Sequence, residues 1–171
     1  MSTTCTIMMI PECQEGVNSG FTKYRYIYCH HDGYPEGPHG VGFLLLNFYN
    51  SCEKVNELIS FGDTSQIKKY VHPDKNKPHS FNNSQRNVCV FYHRDRDDDW
   101  DDACYKEDVW KSEDDITGQD WIYLFKQGKW FYKKWDWVKF KRLTPSAVKT
   151  KCNLKHDPEC VTCKYCKFCE T

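Results

Sequence analysis

Apolar positions along this 171-residue chain come in short bursts separated by long polar stretches. Thr4 to Ile10 is β-branched and apolar and stops at Pro11, which predicts a first strand. Lys23 to His30 is aromatic-rich and predicts a second. Val41, Leu44, Leu45 and Phe48 then repeat at helical spacing, with Phe43 and Leu46 beside them. A helix apolar on most of its sides is expected to be largely buried. Asn50 with Glu53 three residues on suggests a capping box. It opens a second helix whose buried stripe is Val55, Leu58 and Ile59, and Gly62 stands at its C-terminal end. Asp63 with Gln66 repeats the cap signal and predicts a short helical turn. Asn87 to Tyr92 reads as a strand. Trp121 to Phe125 and Lys129 to Tyr132 flank Gln127-Gly128, a hairpin signature.

Strands with two central helices predict an α+β domain, an antiparallel sheet with two short helices on one face. Thr144-Pro145-Ser146 breaks the pattern. It divides the chain into a core, residues 1–143, and a cysteine-rich tail, residues 144–171.

Composition narrows the picture. The length suits one domain. Hydrophobic residues are 39 % and mean hydropathy is −0.79, but aromatics reach 16 % and bury much area each, so one core is attainable. The longest apolar run, Val41 to Leu46, is too short to span a membrane. Lys+Arg and Asp+Glu are 24 each, so no global charge draws the chain to nucleic acid or to a membrane. Charge is nonetheless segregated. Twelve acidic residues lie between Asp95 and Asp120, opposed by Arg96, Lys106 and Lys111. Ten basic residues lie between Lys126 and Lys155, opposed by Asp136. Such blocks are commonly solvated or mutually neutralising faces; the sharper reading is a basic end that attracts an anion.

Eleven cysteines are present, five of them in the last twenty residues. The first residues carry no charged segment leading into an apolar one, so reduced thiols and a host cytoplasmic location are expected. The scattered cysteines then read as small buried hydrophobes.

The run Tyr28-Cys29-His30-His31-Asp32-Gly33-Tyr34-Pro35-Glu36-Gly37 resembles the signature of a family of small phage- and prophage-encoded proteins. The likeness continues in order through Gly40-Val41-Gly42, Asn47-Phe48-Tyr49-Asn50, Lys54-Val55, Leu58-Ile59 and Gly62-Asp63. It extends to Phe91-Tyr92-His93-Arg94-Asp95-Arg96, Tyr123-Leu124-Phe125 and Gly128-Lys129-Trp130, about residues 4 to 132. Three departures stand out. His31 replaces a tryptophan, Pro38-His39 is inserted, and the cysteine tail has no counterpart. The resemblance implies a viral accessory protein and a shared fold. It supplies no reaction.

Three groups of residues carry candidate chemistry. His30, His31 and Asp32, with His93 and Asp95, sit just past strand ends and have the ligand types of a zinc or manganese site. Tyr34, Glu36, Arg94 and Arg96 lie beside them, and the two guanidiniums suit a phosphate or carboxylate. The competing reading is structural, because Asp32-Gly33 is a turn pair and a strand-end histidine can simply bond a carbonyl. Cys152, His156, Cys160, Cys163, Cys166 and Cys169 suit tetrahedral zinc, against a reactive tail or a lipid-attachment site. Lys129 to Arg142 interleaves lysines with aromatics, as single-stranded nucleic acid binding requires, against one face of an ordinary hairpin. The function expected is a non-enzymatic viral accessory protein that binds a host factor or a small anionic ligand, with interference in host defence as its purpose. The alternatives are a metal-dependent hydrolase on His30, Asp32, His93 and Asp95, and a zinc-stabilised nucleic-acid module in the tail. No membrane partner is expected.

Overall fold

A computed structural model describes residues 2–11 and 20–148. The core is a mixed sheet of eight strands with helices on one face. In chain order the elements are β1 (Cys5–Met9), β2 (Thr22–Cys29), α1 (Val41–Phe48), α2 (Cys52–Ser60), β3 (Thr64–Gln66), β4 (Val90–Phe91), α3 (Tyr92–Arg96), β5 (Lys106–Trp110), β6 (Trp121–Lys126), β7 (Lys129–Lys134) and β8 (Lys141–Arg142). Their order across the sheet is β4-β3-β2-β1-β6-β7-β8, and β5 pairs with the first half of β2.

The α+β class is as expected, but the sheet is not wholly antiparallel. β1 runs antiparallel to β2, with Cys5 opposite Cys29, and parallel to β6, with Cys5 opposite Trp121. β2 and β3 are also parallel, at Cys29 and Thr64. A parallel neighbour needs a long crossover, and more than a hundred residues separate β1 from β6. Local patterning carries no trace of that pairing.

β1 is buried at every position because both of its faces are covered. Cys5, Ile7 and Met9 point to the helices and join Leu45, Val55, Leu58, Ile59, Phe91 and Tyr123 in the larger core cluster. Met8 points the other way, onto Tyr24, Ile116, Ile122 and Leu124. Leu143 and Val148 are buried in the larger cluster, so the packed chain reaches Val148.

Local signals were decided by tertiary partners at three places. α2 begins one residue later than its cap signal, because Ser51 rather than Asn50 accepts the Lys54 N–H, at 3.3 Å. The turn expected at Asp63 to Gln66 is strand β3, because β2 and β4 flank it and the Thr64 hydroxyl donates to the Val90 carbonyl, at 2.6 Å. The acidic stretch supplies strand β5, whose exposed Glu107 pairs with Lys23 and Arg25 across β2. The Gln127-Gly128 hairpin is as expected. Both residues have positive φ, 50° and 69°, as a two-residue turn between twisted strands requires.

Candidate functional site

β2 ends at Cys29, and the chain turns through His30, His31 and Asp32 toward α1. His30 Nδ1 lies 2.6 Å from the Tyr28 hydroxyl. The Ser2 hydroxyl donates to the His30 carbonyl and sits 2.8 Å from His31 Nδ1. Asp32 adopts a left-handed conformation, φ 58°. Its carbonyl accepts the first N–H of α1, from Val41, at 2.9 Å. Its carboxylate accepts from the Tyr34 hydroxyl and from Gln66 Nε2, at 3.2 and 3.0 Å. Asp32 therefore ties β2, α1 and β3 together. Glu36 is exposed on the same connection.

β4 leads directly into α3, which carries His93, Arg94, Asp95 and Arg96. Arg94 turns inward. Its guanidinium grips both carboxylate oxygens of Asp95, at 2.6 and 2.8 Å, and donates to the carbonyls of Val71 and Cys89. Asp95, 3 % exposed in its side chain, also accepts the Phe91 N–H and faces His79 Nε2 at 3.3 Å. His79 Nδ1 accepts the Gln85 N–H, and its Nε2 also lies 3.2 Å from the Arg94 guanidinium. These bonds fasten the long polar connection between β3 and β4 to the sheet. Burial alone would raise the Asp95 carboxyl, but the bonds from Arg94 and Phe91 outweigh it and hold the group below its ordinary range.

Two side chains of α3 turn outward. Arg96 grips Asp98 and lies over the rings of Tyr92 and Phe81, at 4.5 and 4.7 Å. His93 donates from Nδ1 to the Asp98 carbonyl, at 2.6 Å, and its ring meets that of Trp100 at 4.8 Å. Trp100 is 82 % exposed.

The two halves of the expected His/Asp group are thus taken up by other neighbours, Asp32 by Tyr34 and Gln66, Asp95 by Arg94 and Phe91, and His93 by the Asp98 carbonyl. Among the described residues no three His, Cys, Asp or Glu side chains converge to hold a metal ion. The ligand set expected in the tail, Cys152 to Cys169, lies outside the described residues. Arg94 gives its donors to the protein itself, which leaves Arg96 as the accessible guanidinium of the pair.

A polar cluster that spacing did not single out lies where β5 and β3 diverge along β2. That divergence would orphan the Tyr28 N–H. Asp63 Oδ1 accepts it, at 2.8 Å, and Asp63 Oδ2 takes the Lys106 ammonium, at 2.5 Å. Burial and the nearby Asp63 push the Asp102 carboxyl up. Burial works against the Lys106 charge, yet Asp63 and Asp102 raise it on balance. Lys106 lies 43 residues from Asp63 in the chain, and only the sheet brings the two together.

No family model matches the chain, and no curated protein or solved structure does either. No helix of the described residues is long and apolar enough to cross a membrane.

Proposed function

We propose that this chain is a non-enzymatic accessory protein of viral type that works by binding a host protein, through α3 and the turn that follows it. The observation that carries the reading is Trp100. An 82 % exposed indole, supported on one side by His93, leaves a large apolar surface in water. Beside it, Arg96 is held flat on Tyr92 and Phe81. Tryptophan, tyrosine and arginine are the residue types that anchor protein interfaces. The neighbouring Asp97, Asp99 and Asp101 are exposed, so the complementary partner carries a basic surface. Of the two ligand classes expected from sequence, a protein suits this edge better than a small anion. Arg94 is spent internally and Arg96 is already held by Asp98. The likeness to phage-encoded proteins supports the viral part of the reading.

Site-specific photocrosslinking in cells expressing the chain tests it. A crosslinker at position 100 is expected to give one discrete adduct with a host protein, which Arg96→Ala weakens. A crosslinker at Asn47, exposed on α1, is expected to give none. Equal labelling from both positions, or none from position 100, would count against the reading.

A further inference from the structure

The opposite edge of the sheet carries a second surface. β7 and β8 pair with Tyr132 opposite Lys141 and Phe131 opposite Arg142. Three half-buried rings meet there. Trp121 stacks on Tyr132, with centroids 5.9 Å apart and planes 26° apart, and Trp137 meets Trp121 edge-on at 5.8 Å and lies tilted against Tyr132 at 5.9 Å. The Lys141 ammonium lies 4.0 Å from the centre of the Trp137 ring. At the start of the β7–β8 connection the Trp137 N–H donates to the Lys134 carbonyl, which closes a turn with Trp135 at its corner. Trp135 is 66 % exposed. A tryptophan at a turn corner adds little to folding, so its apolar area is available for a ligand.

The charges around these rings are mostly basic, with Asp136 the acid of the turn itself. The acidic turn before β6 neutralises the inner part of the basic block, because Glu113 pairs with Lys126 and its carbonyl receives the Lys133 ammonium at 3.5 Å. Asp120 is occupied by the Thr4 N–H and hydroxyl, both at 2.9 Å. Lys129, Lys134, Lys139, Lys141 and Arg142 remain at this edge, and none of them pairs with a carboxylate among the described residues. Cations flanking an aromatic platform are what an unpaired polynucleotide strand needs, since its bases present flat faces and its phosphates run alongside. A duplex hides those faces. A bilayer would ask for a continuous apolar face, whereas the apolar side chains protruding here are Trp135 and Val138. We propose that the β7–β8 edge binds single-stranded nucleic acid, with Trp135 stacking on a base and Lys139, Lys141 and Arg142 meeting phosphates.

Fluorescence anisotropy with a labelled twelve-nucleotide oligothymidine tests the proposal on the full-length chain. Expected is saturable binding in which log K falls against log salt with a slope of about −2 to −3.5, as for three to five neutralised phosphates. Trp135→Ala is expected to weaken binding about tenfold, and Trp135→Phe to recover most of the loss, because either ring stacks. Lys139→Glu with Lys141→Glu is expected to flatten the slope by about 1.4. The same oligonucleotide as a duplex is expected to bind less tightly. The proposal is overturned by absent binding at low salt, by equal affinity for the duplex, or by a Trp135→Ala variant that is folded and binds unchanged. Binding to vesicles of anionic lipid in preference to the oligonucleotide would overturn it in favour of a membrane surface.

Discussion

Arg94 and Asp95 are adjacent in sequence and face each other on α3, joined by two hydrogen bonds of 2.6 and 2.8 Å. Between them they gather the Phe91 N–H, the Val71 and Cys89 carbonyls and the His79 ring. Neighbours that look like a catalytic or anion-binding pair by residue type are here the clamp for a long polar connection. Asp95→Ala leaves the Arg94 guanidinium unpaired in a mostly buried place and is expected to cost about 3–5 kcal/mol. Urea unfolding of the variant against the wild type measures it. A loss below 1 kcal/mol would show that the connection is held by other means.

The same carboxylate sets an acid limit. Its folded value lies below the ordinary 3.8, so its contribution to stability is fully present above that value. It is lost as pH falls through the folded value. Wild-type stability is therefore expected to fall in that acid range, and Asp95→Asn to be less stable at neutral pH but to lose less on acidification. Parallel pH slopes for the two proteins would refute the assignment.

Gly62 follows α2 with φ 77°, and a Cβ there would meet the Asp102 carbonyl oxygen at 1.9 Å. Gly128, in the hairpin, has φ 69° and open space around it. Both alanine variants are strained, but only the first also pushes a backbone segment away. Gly128→Ala is expected to cost about 1 kcal/mol and Gly62→Ala about 3 kcal/mol or more. Thermal melts of the pair provide the comparison, and equal losses would mean that the Asp102 segment moves freely.

Lys133 is 2 % exposed, and burial lowers its ammonium below the ordinary 10.5 despite Asp114, Asp115 and Glu113. The folded state favours the neutral amine, so at neutral pH the fold carries the cost of a buried charge. That cost shrinks as pH rises through the folded value. Lys133→Met keeps most of the side chain's length and removes the charge. It is expected to raise stability by about 1 kcal/mol at neutral pH, read as a shifted urea midpoint. A destabilised variant would show that the bond to the Glu113 carbonyl outweighs desolvation.

Thiol reactivity should follow depth. Cys104 is exposed, whereas Cys5, Cys29 and Cys89 are buried. Burial pushes the Cys89 thiol up to about 11, and burial with the Cys29 thiol alongside raises Cys5 well above its usual range. Iodoacetamide at pH 8 followed by peptide mapping should find Cys104 modified quickly, and the buried three only after denaturant. Rapid modification of Cys89 in the native protein would contradict its burial.

Much of this molecule was legible in its sequence, and the rest was decided in three dimensions. The apolar bursts at Thr4 to Ile10, Val41 to Phe48 and Val55 to Ile59 specify their own elements, because periodicity and burial agree there. Gln127-Gly128 specifies its own hairpin, because positive φ is a local demand. The Asp63 to Gln66 segment held a helix signal and became a strand, since two long-range neighbours offered more hydrogen bonds than one turn could. The acidic block held no element signal and yet supplies β5, whose charges are matched across β2. For the candidate sites the sequence fixes which side chains exist, and only the fold decides which way they face. Arg94 and Asp95 turn inward because a long polar connection needs fastening. Arg96, Trp100 and Trp135 turn outward because a short helix and a tight turn leave them no core to enter.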